Sequence, residues 1–320
     1  GADVTGTTTV NMLCNQPESG YNVTSLYGGN DYTGTVNKSI LNVYGGKYQY
    51  VYGAGNGKGT LEEDPNTHVS AFTRYTYDGT NTEAPNVSVV PNSMYPVINF
   101  YNGTVDSNLY GGGNMGKCFV GTVPQSVGAA YAEADKYAHV VVNVHGGQFN
   151  NDIYTGAAGE ENGEQLVYGL KQLNMDGGVV EASVYGGSQS VMDGYPECQA
   201  ENIGTEQAPV WQGNASLTTQ RPSSIMNLVG GTIKNNVYGA GYLGVVHGSV
   251  YVNVGREAVN TSPVWTNTYA GESAAYAAYK PTLLTYDYRG NDTTGDTLKP
   301  RNLYLEHSIY NGANWGSGGG

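Results

Sequence analysis

Charged residues are scarce in this chain of 320 residues, where Asp, Glu, Lys and Arg together make up 13%. An ordinary soluble domain has about 25%. The 14 basic residues form no run, and the net charge at pH 7 is −13. Binding to a phosphate backbone needs clustered Lys and Arg. The sequence therefore argues against nucleic acid as a partner.

Long apolar stretches are also missing, since none approaches the roughly 18 residues that a membrane-spanning helix needs. We therefore expect no membrane insertion of this chain. The sequence opens with Gly1, Ala2 and Asp3, without a Met or a signal peptide. We expect a mature or trimmed chain whose targeting segment is missing.

Cysteine is rare, with only Cys14, Cys118 and Cys198 in the chain. An odd number without a C-x-x-C pair matches neither a metal site nor a disulfide framework. The residues leave one disulfide open as an alternative, and they favour free, buried thiols.

Glycine, by contrast, is abundant, with 48 residues, but there is no G-X-Y period and Pro numbers 12, so a collagen triple helix is excluded. Tyr numbers 28 against 4 Phe and 3 Trp. This ratio favours strands whose aromatic rings reach water at one end. Low charge with plentiful Gly, Asn, Thr and Tyr is typical of a β-rich protein that is secreted or held at a cell surface.

Internal repetition organises the chain. One half-repeat reads apolar-Asn-apolar-x-Gly-Gly, and it occurs at 41–46, 142–147, 173–178 and 226–231, with a variant at 98–103. In such a strand the apolar residues share one face and Asn lies on the other. The Gly pair then allows the chain to turn a corner, because Gly adopts positive φ without a Cβ penalty.

The second half-repeat is an apolar residue, a Tyr and a Gly-rich corner, at Tyr27, Tyr52, Tyr110, Tyr154, Tyr185, Tyr238 and Tyr310. From Asn to Tyr the spacing is 11 residues in four consecutive units and 10 in one. The shortest return from Tyr to Asn takes 15 residues, so a minimal coil has 26 residues. That length suits a solenoid turn of two or three short strands.

The sequence thus predicts an all-β fold, a right-handed parallel β-helix of about eight coils, over 1–320 as a single domain. It leaves open whether the chain is a fragment of a longer solenoid. A β-propeller is the alternative, but its blades need about 40 regularly spaced residues. Stacked coils predict an amide ladder of Asn42, Asn99, Asn143, Asn174 and Asn227 and a ring ladder of the repeated tyrosines. The predicted interior contains Leu41, Val43, Val51, Phe100, Leu109, Val142, Val144, Ile153, Val184, Leu228, Ile233 and Val237.

Insertions between Tyr and the next Asn account for the remaining length, at 57–94, 117–138, 157–170, 189–222 and 256–300. Insertions at one point of the coil emerge on one side of a solenoid. We expect the three longest insertions to share that side and to form an interaction surface.

Candidate binding residues come from these loops and from the ring ladder. Trp211 and Trp265 lie in two of the insertions, and Trp often anchors interfaces and sugars. The alternative is that each Trp closes a small core under its own loop. The ladder rings could form a carbohydrate platform or could only pack on one another, and the candidates there are Tyr52, Tyr110, Tyr154, Tyr185 and Tyr238.

Catalytic and metal-binding patterns are not found in the sequence. The strand repeats carry almost no carboxylates, with Asp152 and Asp176 as single occurrences, and the five His have no mutual metal spacing. No calcium-binding loop matches, although 28–34 is a loose relative. We predict no catalytic residue, no metal and no cofactor, with structural Ca²⁺ as the alternative.

The repeat G-G-[TKQ]-[IFY]-x-x-x-V-Y-G-[GA]-G, clearest at 231–241, resembles that of large surface proteins of gut bacteria, especially Bacteroidetes. The resemblance implies a right-handed β-helix and an adhesin-like protein of the bacterial cell surface. The predicted function is a structural or adhesive protein that displays loops toward a host surface or a glycan. The alternative is a carbohydrate-active enzyme, a polysaccharide lyase or glycoside hydrolase, on the same scaffold.

Overall fold

The computed structural model describes residues 4–31, 34–57, 72–75, 96–116, 118–120, 138–159, 163–194, 201–202, 205, 208, 211–212, 222–254 and 303–310. All regular secondary structure in these ranges is β. The strands are β1 (Val4–Met12), β2 (Val23–Tyr27), β3 (Thr35–Val43), β4 (Lys47–Tyr52), β5 (Phe72–Tyr75), β6 (Val97–Phe100), β7 (Thr104–Val105), β8 (Leu109–Tyr110), β9 (Cys118–Val120), β10 (Ala138–Val144), β11 (Gln148–Phe149), β12 (Ile153–Tyr154), β13 (Gly163–Val180), β14 (Val184–Tyr185), β15 (Val191–Gly194), β16 (Glu201–Asn202), β17 (Trp211–Gln212), β18 (Pro222–Ile233), β19 (Val237–Tyr238), β20 (Val246–His247), β21 (Ser249–Val254), β22 (Leu303–Leu305) and β23 (Ile309–Tyr310).

Twenty-one of these strands join in one sheet whose pairings are parallel, and β16 and β17 form a separate antiparallel pair inside the insertion 189–222. Each coil pairs with the next one at the same positions, as in Asn42 with Asn99 and Tyr52 with Tyr110. The predicted parallel β-solenoid and its repeat register are therefore confirmed. The described residues trace seven coils, one for each repeated tyrosine.

Four strand positions recur around the coil, and we call them walls A to D. Wall A carries the repeated Asn, and wall B follows the Gly-Gly corner. Wall C carries the repeated Tyr. Wall D consists of β5, β9, the first part of β13, β15 and β20, which pair with one another and with the start of β3. The repeat motifs did not reveal wall D, because its residues share no sequence signature.

The predicted interior is confirmed. All twelve side chains named from the repeat are buried and belong to one apolar cluster that runs through the coils. A second cluster joins wall D to Val140 of wall A and to residues that follow wall C, and it is built from Ala54, Met115, Cys118, Val140, Ala157, Val167 and Val191. Burial of apolar surface in these two clusters stabilises the stacked coils.

The glycine at the second position of the Gly-Gly corner turns the chain from wall A to wall B. Its φ is +99° at Gly46, +95° at Gly147 and +102° at Gly231. A residue other than glycine rarely adopts this backbone conformation. At Gly147 a Cβ would also lie 2.5 Å from the Phe100 ring. The corner role that the sequence predicts for this glycine is thus borne out.

The insertions attach at three different points of the coil, since 58–71 follows the corner after wall C and precedes β5 of wall D. The segments 76–95, 121–137 and 195–221 each join wall D to wall A. The segment 255–302 instead follows Val254, which pairs with Leu228 on wall A, and precedes Leu303, which pairs with Gly231 at the start of wall B. The prediction that 256–300 interrupts the same point as the others is therefore wrong. Part of 157–170 and part of 189–222 are wall D strands rather than insertion.

Two of the three cysteines lie in the described residues. Cys14 and Cys118 are free thiols, as predicted, with Cys14 half-buried and Cys118 buried. Cys198 lies outside the described residues.

Candidate functional site

The ring ladder on wall C is continuous over seven tyrosines. Neighbouring ring centroids lie 4.6 to 5.2 Å apart, and their planes differ by 7 to 12°. Each interior ring is therefore covered on both faces by other rings. The five tyrosines proposed as a binding platform are all buried. Their involvement in ligand binding stays a prediction, and a sugar could reach only their edges.

The hydroxyls of this ladder are also engaged. Asn108 Nδ2 donates to Tyr110 Oη over 2.7 Å, and Tyr110 Oη lies 2.5 Å from Gln189 Oε1. Burial raises the pKa of Tyr110, against a hydrogen bond from Asn108 that lowers it. Burial likewise raises the pKa of Tyr52 and Tyr154. The hydroxyls of Tyr52, Tyr110 and Tyr154 therefore stay protonated at physiological pH.

Of the two tryptophan candidates, only the backbone of Trp211 lies in the described residues. The backbone of Trp211 forms β17, which pairs with β16. The side chain of Trp211 and the whole of Trp265 lie outside the described residues. Their proposed roles stay predictions.

The amide ladder on wall A is present as predicted and extends one coil further. Each Asn donates from Nδ2 to the Oδ1 of the Asn in the preceding coil, always over 2.8 Å; its members are Asn11, Asn42, Asn99, Asn143, Asn174 and Asn227. A primary amide has two N–H donors. One N–H of each interior amide is used within the ladder, so the second is available on the outer surface of half-buried members such as Asn99.

Beside the amide ladder lies a second column, which the sequence analysis did not single out. It occupies the variable position of Asn-apolar-x-Gly-Gly, and we call Tyr44, Tyr101, His145 and Asp176 the corner column. The Tyr44 and Tyr101 rings stack with centroids 4.6 Å apart and planes 2° apart. Tyr101 lies 5.4 Å from the His145 ring, and His145 Nδ1 lies 2.8 Å from Asp176 Oδ1. Tyr44 is 44% exposed.

A signal for this column was present in the sequence. The position two residues after the repeated Asn reads Tyr, Tyr, His and Asp in four consecutive coils. All four are polar at one end, and three are ring side chains. The column can be found by aligning the repeats on their Asn and Gly-Gly residues and then reading the variable position between them from coil to coil.

Across the Gly-Gly corner, wall B presents a row of polar and charged side chains. We call Lys47, Asp106, Gln148, Asn150, Glu181 and Lys234 the charged row. Lys47 Nζ lies 3.0 Å from Asp106 Oδ2, and Asn150 Nδ2 donates to Asp106 Oδ1 over 2.8 Å. Desolvation raises the pKa of Asp106, but the hydrogen bonds from Lys47 and Asn150 outweigh it, and the net shift is downward.

The other half of the charged row is built around Glu181. Lys234 Nζ lies 2.7 Å from Glu181 Oε2, and Gln148 Nε2 donates to Glu181 Oε1 over 2.8 Å. These hydrogen bonds lower the pKa of Glu181, so it is ionised at neutral pH. The row therefore contains two ion pairs, in each of which a lysine and a carboxylate neutralise each other.

The amide ladder, the corner column and the charged row run side by side, because each coil contributes to all three within a few residues. In one coil the contributors are Asn99, Tyr101 and Asp106. Stacked coils repeat them at about 4.8 Å. We call these three columns together the corner face. It combines an exposed aromatic ring with rows of hydrogen-bond donors and acceptors.

Within the described part of the chain, no group of three or more His, Cys, Asp or Glu residues is arranged to hold a metal ion. The same residues contain no helix with the length and apolarity to cross a bilayer. Comparison with protein-family models, with curated proteins and with solved structures finds no match.

Proposed function

We propose that this chain is a structural or adhesive solenoid of a secreted or cell-surface bacterial protein, and that it binds a glycan along the corner face. The observation that carries the proposal is the exposed ring of Tyr44, which packs on Tyr101 with one face and lies beside the amide ladder. Sugars present apolar C–H faces and a rim of hydroxyls. An exposed aromatic ring can pack against the C–H face of a sugar, and a row of amides can form hydrogen bonds with its hydroxyls.

The periodicity of the corner face supports an extended ligand. Amide donors recur once per coil, at about 4.8 Å, so a chain of sugars lying along the solenoid axis meets equivalent groups repeatedly. The net charge of −13 disfavours a polyanion. We therefore propose a neutral polysaccharide or host glycan rather than an acidic one.

The insertions remain part of this proposal as a display surface. Those that join wall D to wall A leave one end of wall A, and 255–302 leaves the other end. Both sets attach beside the wall that carries the amide ladder. Trp211 and Trp265 therefore belong to segments attached along the edges of the proposed glycan site.

The test is glycan-array binding of the chain and of three variants. We expect the double substitution Tyr44→Ala and Tyr101→Ala to abolish binding. Tyr310→Ala is the matched control, since Tyr310 is 48% exposed but lies on wall C; it should bind as the unmodified chain does. Loss only with Trp211→Ala and Trp265→Ala would transfer the site to the insertions. Absence of binding by the unmodified, folded chain to any neutral glycan would contradict the proposal.

A second candidate is the carbohydrate-active enzyme. It is favoured by the carboxylates of Asp106, Asp176 and Glu181, which share the corner face with His145. Glycosidases and lyases use paired carboxylates or a carboxylate with a base. The test is release of new sugar ends from a bound polysaccharide; activity that disappears with Asp106→Asn or Glu181→Gln while binding persists would establish the enzyme.

A further inference from the structure

A lysine and an aspartate lie together in the interior, away from the corner face. Lys171 is on the wall A part of β13, and Asp193 is on β15 of wall D, one coil further along. Lys171 Nζ lies 3.9 Å from Asp193 Oδ2, and both side chains have no solvent exposure. Taking two charges out of water is costly, and the attraction between them repays that cost only with excellent geometry. A separation of 3.9 Å is longer than a hydrogen-bonded ion pair, so this pair is not explained by charge attraction alone.

The surroundings are apolar apart from a few hydroxyls, the thiol of Cys118 near Asp193 and the imidazole of His247 near Lys171. In the neighbouring strands, Lys171 pairs with Val140 on one side, and Asp193 pairs with Val167 and Val246. Burial lowers the pKa of Lys171 to about 8, against the attraction of Asp193. Burial also raises the pKa of Asp193, against Lys171 and Ser188. Both shifts favour the uncharged amine and the uncharged carboxylic acid.

Two serines make specific contacts with the pair. Ser188 donates its backbone N–H to Asp193 Oδ2 over 2.6 Å and its hydroxyl to Asp193 Oδ1 over 2.7 Å. Lys171 Nζ donates to Ser223 Oγ over 3.0 Å. The carboxyl group is thus held and polarised by two donors, while the amine is held by a hydroxyl that can both accept and donate a proton.

We propose that Lys171 and Asp193 condense to form an intramolecular isopeptide bond. Lys171 Nζ, with its lone pair, attacks Asp193 Cγ. The bond between Cγ and one carboxyl oxygen then breaks, and that oxygen leaves as water with the proton of the acid and one proton of the amine. Ser188 stabilises the oxygen on which negative charge develops, and Ser223 relays the amine proton. No oxidant, reductant or cofactor is needed.

Geometry and medium both bear on this step. Reacting atoms in a near-attack arrangement lie about 3 to 3.5 Å apart, so the step requires Lys171 Nζ, now 3.9 Å from Asp193 Oδ2, to move toward Asp193 Cγ. The site is closed to bulk water, so the product amide is shielded from hydrolysis. The bond would link the fifth coil covalently to the sixth. It would also close a covalent loop of the chain from 171 to 193. This inference is independent of the proposed glycan binding.

The first measurement is the intact mass of the purified chain. We expect a mass lower than that of the sequence by one water molecule. Asp193 is followed by Gly194, however, and an Asp-Gly pair can lose water by closing a succinimide. A tryptic map separates the two reactions, because trypsin cleaves after an unmodified Lys171. Trypsin does not cleave between Arg221 and Pro222. With the isopeptide bond, residues 137–234 therefore remain one peptide that is one water lighter than the linear sequence. Backbone fragmentation between 171 and 193 then fails to separate its halves.

Variants provide a second, independent readout. Lys171→Arg should restore the full sequence mass. The partly exposed pair Lys47 and Asp106 is the matched control and should stay unlinked. An unmodified chain whose intact mass equals the sequence mass would overturn the proposal. A loss of water that persists in Lys171→Arg would also overturn it and assign the loss to the succinimide. If Lys171→Arg does not fold, the tryptic map of the unmodified chain decides.

Discussion

Tyr154 donates its hydroxyl proton to Asp152 Oδ2 over 3.0 Å, whereas in the adjacent coil Tyr110 accepts a hydrogen bond from Asn108. The residue two before the repeated tyrosine therefore fixes the ring in both coils, with opposite donor and acceptor roles. Asp152 Oδ1 also accepts the backbone N–H of Ser183 in the following coil, over 2.9 Å. A carboxylate thus occupies a position in which a neighbouring coil uses an amide.

We predict that Asp152→Asn is neutral or stabilising at pH 7. Burial raises the pKa of Asp152, against hydrogen bonds from Ser183 and Tyr154 that lower it. A folded-state pKa above the unfolded value means that ionisation disfavours the folded state. An Asn can accept from Ser183 and donate to Tyr154, as Asn108 does to its own tyrosine. The gain in free energy of unfolding should be at most about 1 kcal/mol, measured by urea denaturation.

The pH dependence provides the check on this prediction. The contribution of Asp152 to stability is present at low pH and is lost as the pH rises through its folded-state pKa. The advantage of Asp152→Asn over the unmodified chain should therefore shrink as the pH falls from 7 toward about 4, the ordinary pKa of Asp. An advantage that grows on acidification would contradict the assignment.

We predict that Val237→Asp destabilises the fold strongly, because Val237 lies in the main apolar cluster with 1% exposure. An unpaired carboxylate there loses its hydration without gaining a partner. The expected loss is about 3 to 5 kcal/mol, which thermal unfolding would report as a large fall in Tm. Asn235→Asp is the control on the same coil, since Asn235 is exposed. Equal melting temperatures for the two variants would show that the Val237 side chain is not interior.

We predict that the stability lost on removing an amide of the ladder scales with the number of ladder hydrogen bonds that this amide makes. Asn143 takes part in two ladder bonds, donating to Asn99 and accepting from Asn174, whereas Asn11 only accepts one from Asn42. Asn143→Ala should therefore cost about twice as much as Asn11→Ala, at about 1 kcal/mol for each bond lost. Chemical denaturation of both variants measures the ratio. Equal costs would mean that the amides are held by other contacts.

We predict that Cys118 does not react with thiol reagents in the folded chain. Burial raises the pKa of the Cys118 thiol to about 12, against a backbone hydrogen bond from Gly113 that lowers it. The thiolate is the reactive form, and it is scarce below pH 9. Alkylation at pH 8 followed by peptide mapping should label Cys14, which is half-buried, well before Cys118. Unfolding in guanidinium should remove the difference, and prompt labelling of Cys118 in the native state would contradict its burial.

Much of the scaffold could be predicted from the sequence, and for a physical reason. Alternation along a strand separates inward Val and Leu from outward Asn, and a fixed spacing from Asn99 to Tyr110 is repeated coil after coil. Stacked coils must place equivalent residues in line. The interior, the amide ladder, the ring ladder and the glycine corners all follow from that single constraint.

The repeat pattern could not predict two features of the fold. One is the wall whose strands are unequally spaced in the sequence, and the other is the column formed by the variable position of the repeat. Wall D follows loops of different length, so Val167, Asp193 and Val246 align only after the chain has folded. The corner column lies at the position where the repeat varies, and its continuity from Tyr44 to Asp176 appears only when coils are stacked. The insertion 255–302 interrupts a different point of the coil than its length and position in the sequence indicated. The sequence by itself determined the parallel stacking and the identity of the core, because those are set by periodicity. Only the tertiary structure decided which polar groups meet across coils, above all Lys171 and Asp193, because that depends on the path of the chain around each corner.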